Sequence, residues 1–252
     1  MFDTHAHLAD SRFDKDRKKV IENAVREGVS GIVCVCSDFE EIDTFYKLLE
    51  EYDFIYGAAG VHPHDASSYK RLLLKFHKVL EYDKIVALGE IGLDYYYENS
   101  PRDIQKEVFK KQLSLAKKRG LPVIIHSREA MRDTLSILRN EEINQGVMHC
   151  FSGTEEDMEA CLDMGLYISL AGPVTFPKAL KLQKIARIVP LDKLLVETDS
   201  PYLAPDPVRG KRNEPSYVKY ILQKIASVRG ISPEEVARIT SQNARRVFRL
   251  PG

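Results

Sequence analysis

Along the whole chain, short β-rich apolar runs alternate with longer amphipathic stretches, and no other feature constrains the fold as tightly. Strand-like runs cover Phe2 to His5, Gly31 to Cys36, Tyr56 to Val61, Ile85 to Ile91, Pro122 to His126, Gly146 to Cys150, Leu166 to Ala171 and Leu194 to Thr198. Helical spacing of apolar residues fills the intervals, at about 14–27, 39–51, 68–81, 102–119, 128–140, 155–164 and 177–188, and two further helices are predicted at about 215–229 and 233–248. This alternation is the signature of repeated βα units and a parallel sheet. The runs Gly31 to Cys36 and Pro122 to His126 are apolar on both alternating faces, as strands covered on both sides require. Eight units in 252 residues, about 31 residues each, predict a (β/α)8 TIM barrel, for which about 250 residues is typical. A doubly wound open sheet is the alternative arrangement of the same units. No Pro/Gly/Ser-rich linker interrupts residues 1–252, so a single domain is expected.

The 37 basic and 37 acidic side chains cancel, which argues against a protein that neutralises many phosphates over its whole surface. Charge is nevertheless uneven: residues 205–252 carry 10 Lys and Arg against 4 Asp and Glu, so a polyanion would be steered to the last fifth. No apolar run approaches the roughly 18–20 residues of a membrane helix, and Met1-Phe2-Asp3-Thr4-His5 lacks the basic and apolar regions of a signal peptide. A cytoplasmic protein with no membrane partner, monomeric by default, is expected. Cys34, Cys36, Cys150 and Cys161 lack CxxC spacing and read as reduced, mostly buried thiols.

In a barrel the chemistry gathers at the C-terminal ends of the strands, so polar residues closing apolar strands carry the functional reading. Strand one closes in His5-Ala6-His7, strand three runs into His62-Pro63-His64, strand four contains Glu90, and strands five, six and eight close at His126, His149 and Asp199. Six of the seven histidines fall at these positions, and only His77 lies mid-helix. Singly, each could be a hydrogen-bonded structural residue. Together, imidazoles and carboxylates at one barrel mouth would be desolvated at high cost unless a cation lay among them. His5 and His7, two apart on a strand, point to one side and can grip one ion. Five ligands plus Glu90 exceed the three or four protein groups that one catalytic ion takes, so two divalent ions are expected. His5, His7, Glu90 and Asp199 are assigned to the first ion, and Glu90, His126 and His149 to the second, with Glu90 bridging. A Glu90 merely paired with a nearby Lys or Arg is the alternative.

Asp3-Thr4-His5-Ala6-His7, Gly60-Val61-His62-Pro63-His64, Gly89-Glu90-Ile91-Gly92-Leu93-Asp94-Tyr95, His126-Ser127-Arg128, His149-Cys150-Phe151-Ser152-Gly153 and the run Glu197-Thr198-Asp199-Ser200-Pro201-Tyr202-Leu203-Ala204-Pro205 resemble, in order, the motifs of the TatD family of metal-dependent deoxyribonucleases. The similarity spans Phe2 to Phe248. It implies an amidohydrolase-like barrel, a one- or two-ion site, and hydrolysis of phosphodiester bonds in DNA, as a 3′-5′ exonuclease on single-stranded ends. The family's metal ligands would fall on His5, His7, Glu90, His126, His149 and Asp199, with no departure at any of them. Related barrels bridge their metals with a modified Lys after strand four, and Glu90 at that point favours the TatD-like branch.

Two cations roughly 3.5–4 Å apart would bind the scissile phosphate and lower the pKa of a bound water, making metal hydroxide the expected nucleophile. Asp199 is assigned as general base. His62 and His64, beside the site but not needed to fill either metal shell, are expected to bind phosphate or protonate the leaving oxygen; a turn built around Pro63 is the alternative. Arg128, opening the helix after His126, and Arg209, Lys211 and Arg212 of the loop after strand eight are expected to contact substrate phosphates. By composition alone that loop could equally be a solvated charged run. Tyr95-Tyr96-Tyr97 could stack an unpaired base or pack against helices. Carboxylates favour Mg²⁺ or Mn²⁺ and imidazoles favour Zn²⁺, so the metal stays open. The same barrel type hosts hydrolysis of small amides, lactones and phosphotriesters, which is the alternative activity. A non-catalytic nucleic-acid-binding protein is a third reading, disfavoured by six intact ligands.

Overall fold

A computed structural model describes residues 1–251. Its strands are β1 (Phe2–Ala6), β2 (Gly31–Cys36), β3 (Ile55–Ala59), β4 (Ile85–Asp94), β5 (Val123–Arg128), β6 (Gly146–Met148), β7 (Tyr167–Leu170) and β8 (Leu194–Val196). Between and after them come α1 (Arg17–Arg26), α2 (Ile42–Glu51), α3 (Tyr69–Val79), α4 (Arg102–Arg119), α5 (Met131–Asn140), α6 (Glu155–Asp163), α7 (Leu180–Ile188), α8 (Val218–Arg229) and α9 (Pro233–Val247). The strands form one parallel sheet in sequence order. The first and last strands then meet: Ala6 bridges Ser200, and Asp199 N–H donates to His5 O at 2.9 Å. The buried Asp3 carboxylate locks this seam by accepting from Thr198 N–H at 2.8 Å and from its hydroxyl at 2.6 Å. This is the (β/α)8 barrel, and the open sheet is excluded by its closure.

Alternation along the strands sorts the core. Ile32, Cys34 and Cys36 of β2 face the helices, whereas Val33 and Val35 join Ala58, Ala87, Ile124, Val147 and Leu195 inside the barrel. Phe2 belongs to this inner cluster together with Ala244, Val247 and Phe248, so α9 closes the N-terminal mouth. Asn243 fixes it there by donating to Leu191 O and Leu194 O. Outside, Phe13, Phe45, Phe76 and Phe109 are fully buried, each contributing about 1.5–3 kcal/mol of transfer free energy.

The ends of β4, β5, β6 and β8 differ from expectation at the face that matters. β5 does not end at His126 but continues to Arg128, because an extended β4 supplies partners: Gly92 pairs with His126, Leu93 with Ser127 and Asp94 with Arg128. Arg128 therefore closes a strand and does not open a helix. β6 and β8 stop at Met148 and Val196, short of the expected Cys150 and Thr198, and beyond them Cys150 (φ 42°) and Asp199 (φ 57°) leave the extended region. At Gly92 (φ 147°) a Cβ would lie 1.9 Å from His126 O, so only glycine lets β4 and β5 approach there.

The basic excess of the last fifth is split between opposite ends of the barrel. Arg249 donates to Gly120 O and Gln145, which precede β5 and β6, so the terminal arginines cluster at the closed N-terminal mouth. They cannot steer a ligand toward the strand C-termini.

Candidate metal centre

Six sequence-selected side chains converge around Glu90, which is 4% exposed. On one side, His5 Nε2 and His7 Nε2 lie 3.2 Å apart. Glu90 Oε2 is 3.4 Å from His5 Nε2 and 3.8 Å from His7 Nε2, and Asp199 Oδ1 is 3.8 Å and 3.4 Å from the same two atoms. On the other side, Glu90 Oε1 lies 2.7 Å from His126 Nδ1, 3.3 Å from His149 Nε2 and 3.6 Å from His62 Nε2. The two oxygens of one carboxylate thus face two separate nitrogen groups. Donors about 2.1 Å from an ion, at tetrahedral to octahedral angles, lie roughly 3.0–3.4 Å apart; the shorter spacings here match that range, and His5, His7 and Glu90, and His62, Glu90 and His126, form groups compact enough to hold an ion.

Two buried carboxylates that sequence reasoning left without a role orient the imidazoles. Asp94 Oδ2 accepts from His126 Nε2 at 3.1 Å, and Glu197 Oε1 lies 2.8 Å from His149 Nδ1. A carboxylate only accepts, so the His126 ring carries a proton on Nε2 and turns Nδ1 toward Glu90, whereas His149 Nδ1 meets Glu197 as a close charge pair without forming a hydrogen bond. Asp94 is four residues after Glu90 and so on the same strand face, and Glu197 is two before Asp199. That spacing was the available signal. Glu197 is further held by the Cys150 N–H at 2.6 Å and the Ser169 hydroxyl at 2.6 Å.

The electrostatics of the cluster are those a divalent cation would relieve. Burial alone would raise the Glu90 carboxyl, but His149, His62 and His126 outweigh it and hold Glu90 well below the usual carboxylate range. Burial likewise opposes charge on His149 and His126, yet Glu197 and Glu90 push the first well up, and Asp94 and Glu90 push up the second. His5 moves down through burial and the charge of His149, and its Nδ1 is buried without a hydrogen-bond partner. Nitrogens of His126 and His149 confront a carboxylate oxygen, and two Nε2 atoms confront each other at 3.2 Å. Such contacts are favourable only with a proton or a cation between them. The donor set, imidazole nitrogen plus carboxylate oxygen, fits a divalent metal.

His62 enters this cluster differently from the other rings. Its Nδ1 accepts the His64 backbone N–H at 3.2 Å, which places the proton of the neutral ring on Nε2 and makes that atom a donor. Burial pushes His62 down to about 4, so the ring is neutral at pH 7. His64 is the more exposed of the pair (27%), with its Nε2 3.1 Å from Asp94 Oδ2.

Above the centre opens a cleft of about 860 Å³, lined among others by His62, His64, Tyr97, Arg128, Tyr202 and Arg71. Arg71 came with no sequence signal beyond a basic helix. Arg209, Lys211 and Arg212 do not line the cleft. Arg209 lies over the Phe176 ring at 4.3 Å, and Arg212 is paired through Nη1 and Nη2 with the two oxygens of Asp16, at 2.8 and 2.7 Å. A guanidinium already forked onto a carboxylate is not free for phosphate, which corrects the role expected of Arg212.

Among the described residues, no helix is long and apolar enough to cross a membrane. The family model described as TatD related DNase matches residues 2–249. An uncharacterized metal-dependent hydrolase, YabD, of Bacillus subtilis is 49% identical over 253 residues, covering 99% of each chain. A 3′-5′ ssDNA/RNA exonuclease, TatD, of Pectobacterium carotovorum is 38% identical over 259 residues, covering 99% of this chain and 100% of its own. Among solved structures, the TatD homolog YJJV of Escherichia coli K12 superposes with a TM-score of 0.93 at 30% identity, over 100% of this chain and 98% of that one.

Proposed function

The chain belongs to the family of TatD-related DNases and is a metal-dependent hydrolase acting on ester bonds; on that premise we propose that it is a two-metal 3′-5′ exonuclease acting on single-stranded DNA ends. The observation that carries the two-ion reading is the division of Glu90, whose Oε2 faces His5 and His7 while Oε1 faces His126 and His149. The exonuclease reading draws on the relative that bears that name.

In this reading His5, His7, Glu90 and Asp199 would hold one ion, and Glu90, His126 and His149 the other. Bound there, divalent ions would supply Lewis-acid charge to the phosphate and lower the pKa of a nearby water. Asp199, kept low by His7, His149 and His5 against the effect of burial, is ionised at neutral pH and accepts the water's proton. His62 Nε2–H donates to a phosphoryl oxygen. His64, paired with Asp94, is the proton source for the leaving oxygen. Arg128, and from a greater distance Arg209 and Lys211, attract the backbone.

The test is digestion of an end-labelled single-stranded oligonucleotide by wild type and Glu90→Ala across Mg²⁺, Mn²⁺ and Zn²⁺. Stepwise shortening from the 3′ end by wild type alone is expected. Turnover of small lactones or phosphotriesters with an untouched oligonucleotide would replace this reading by the small-substrate one, and binding without cleavage by the non-catalytic one.

A further inference from the structure

Three tyrosines near the centre stand half-exposed, and two of them, Tyr97 and Tyr202, line the cleft. Tyr96, Tyr97 and Tyr202 are 55%, 54% and 45% exposed. Tyr95, by contrast, packs: its hydroxyl donates to Asp133 at 2.8 Å and its ring lies under Arg102. Tyr97 meets His64 edge-on at 5.4 Å, His64 meets His62 at 4.3 Å, and His62 meets His126 at 4.8 Å. An unbroken file of rings therefore joins Tyr97 to the Glu90 Oε1 side of the centre. Arg128 lies over both neighbouring tyrosine rings, 4.1 Å from Tyr96 and 4.7 Å from Tyr97.

Across the centre the arrangement repeats with unrelated residues. Tyr202 stands 5.7 Å from His7, on the Glu90 Oε2 side, under the guanidinium of Arg12 at 4.1 Å. Arg12 is itself tied to Asp10, so this shelf is braced. Each side of the metal centre thus carries one wetted aromatic face backed by a guanidinium. Such a face accepts any unpaired base, because every base presents a π-surface.

We infer that Tyr97 and Tyr202 stack the two bases that flank the scissile phosphate, one on each side of the metal centre. Resting on the nuclease reading above, this explains how an enzyme with few cleft cations positions a single strand without reading its sequence. Arg128 makes no ion pair among the described residues, so its charge is available to the phosphate beside the stacked base.

The experiment compares metal-loaded wild type, Tyr97→Leu and Tyr202→Leu on single-stranded oligonucleotides that are intact, abasic at the terminal nucleotide, or abasic at the penultimate one. Each abasic position should cost wild type roughly tenfold in kcat/KM. Each Leu variant should lose sensitivity to one position and keep it at the other, and the two variants should differ in which. Tyr97→Phe and Tyr202→Phe, which keep the ring face, should retain the wild-type pattern, with metal content unchanged throughout. Variants sensitive to both positions, or a wild type indifferent to base removal while digesting the strand, would overturn the shelves. A wild type that leaves the intact oligonucleotide undigested overturns the nuclease reading, and the shelves with it.

Discussion

Asp94 and His126 face each other across 3.1 Å, and the same Asp94 Oδ2 lies 3.1 Å from His64 Nε2. Oδ1 of that carboxylate accepts the backbone N–H groups of Tyr96 and Tyr97 at 3.0 and 2.9 Å. One buried side chain thereby sets the tautomer of a proposed metal ligand, pairs with a proposed proton donor, and shapes the turn that carries the exposed tyrosines.

Asp94→Asn presents an amide that can donate as well as accept, so the His126 proton is no longer confined to Nε2. Affinity for the ion in the His126 pocket should fall about 10- to 100-fold. Metal titration calorimetry measures this, and an unchanged affinity would remove the orienting role.

Glu197→Gln keeps the shape but offers at least one N–H to a pocket of donors formed by Cys150 N–H, the Ser169 hydroxyl and His149. A cost of about 1–3 kcal/mol is expected. At roughly 2–4 °C per kcal/mol for a chain of this size, calorimetric melting of the metal-free protein should show it.

His62→Ala should lower kcat about 10²- to 10³-fold while metal content stays at the wild-type level, if Nε2 acts as a donor to the phosphoryl oxygen and not as a ligand. Elemental analysis of the purified variant decides the point: a lost ion would make His62 a ligand.

Gly92→Ala forces a Cβ to within 1.9 Å of His126 O. The two strands must part, at a cost above about 3 kcal/mol. Urea denaturation should register it, and a midpoint equal to wild type would show that the contact relaxes freely.

Ion binding should stabilise the fold independently of any activity. A divalent ion at about 100 times its Kd adds about 2.7 kcal/mol. A melting temperature indifferent to Mn²⁺, Mg²⁺ and Zn²⁺ alike would leave the Glu90 cluster without its cation.

The sequence by itself determined the eight βα units, since the period of apolar residues is a local property that each segment carries whatever its neighbours. It also marked the strand ends where imidazoles and acids gather, because polar residues closing two-sided apolar strands have nowhere else to go. What only the tertiary structure decided are relations between distant segments. Asp3 reaches Thr198 across 195 positions to close the barrel, and that closure brings His5 and His7 to Asp199. Strand register turns the Asp94 carboxylate to His126, and the Cys150 N–H and Ser169 hydroxyl hold Glu197 beside His149. The three adjacent tyrosines look alike in sequence, yet one packs and two meet water. Arg212 and Arg249, equally basic on paper, are taken up by Asp16 and by the closed end of the barrel. Charge and periodicity are written residue by residue, whereas the partner of each charge depends on which strands pair and how the sheet closes.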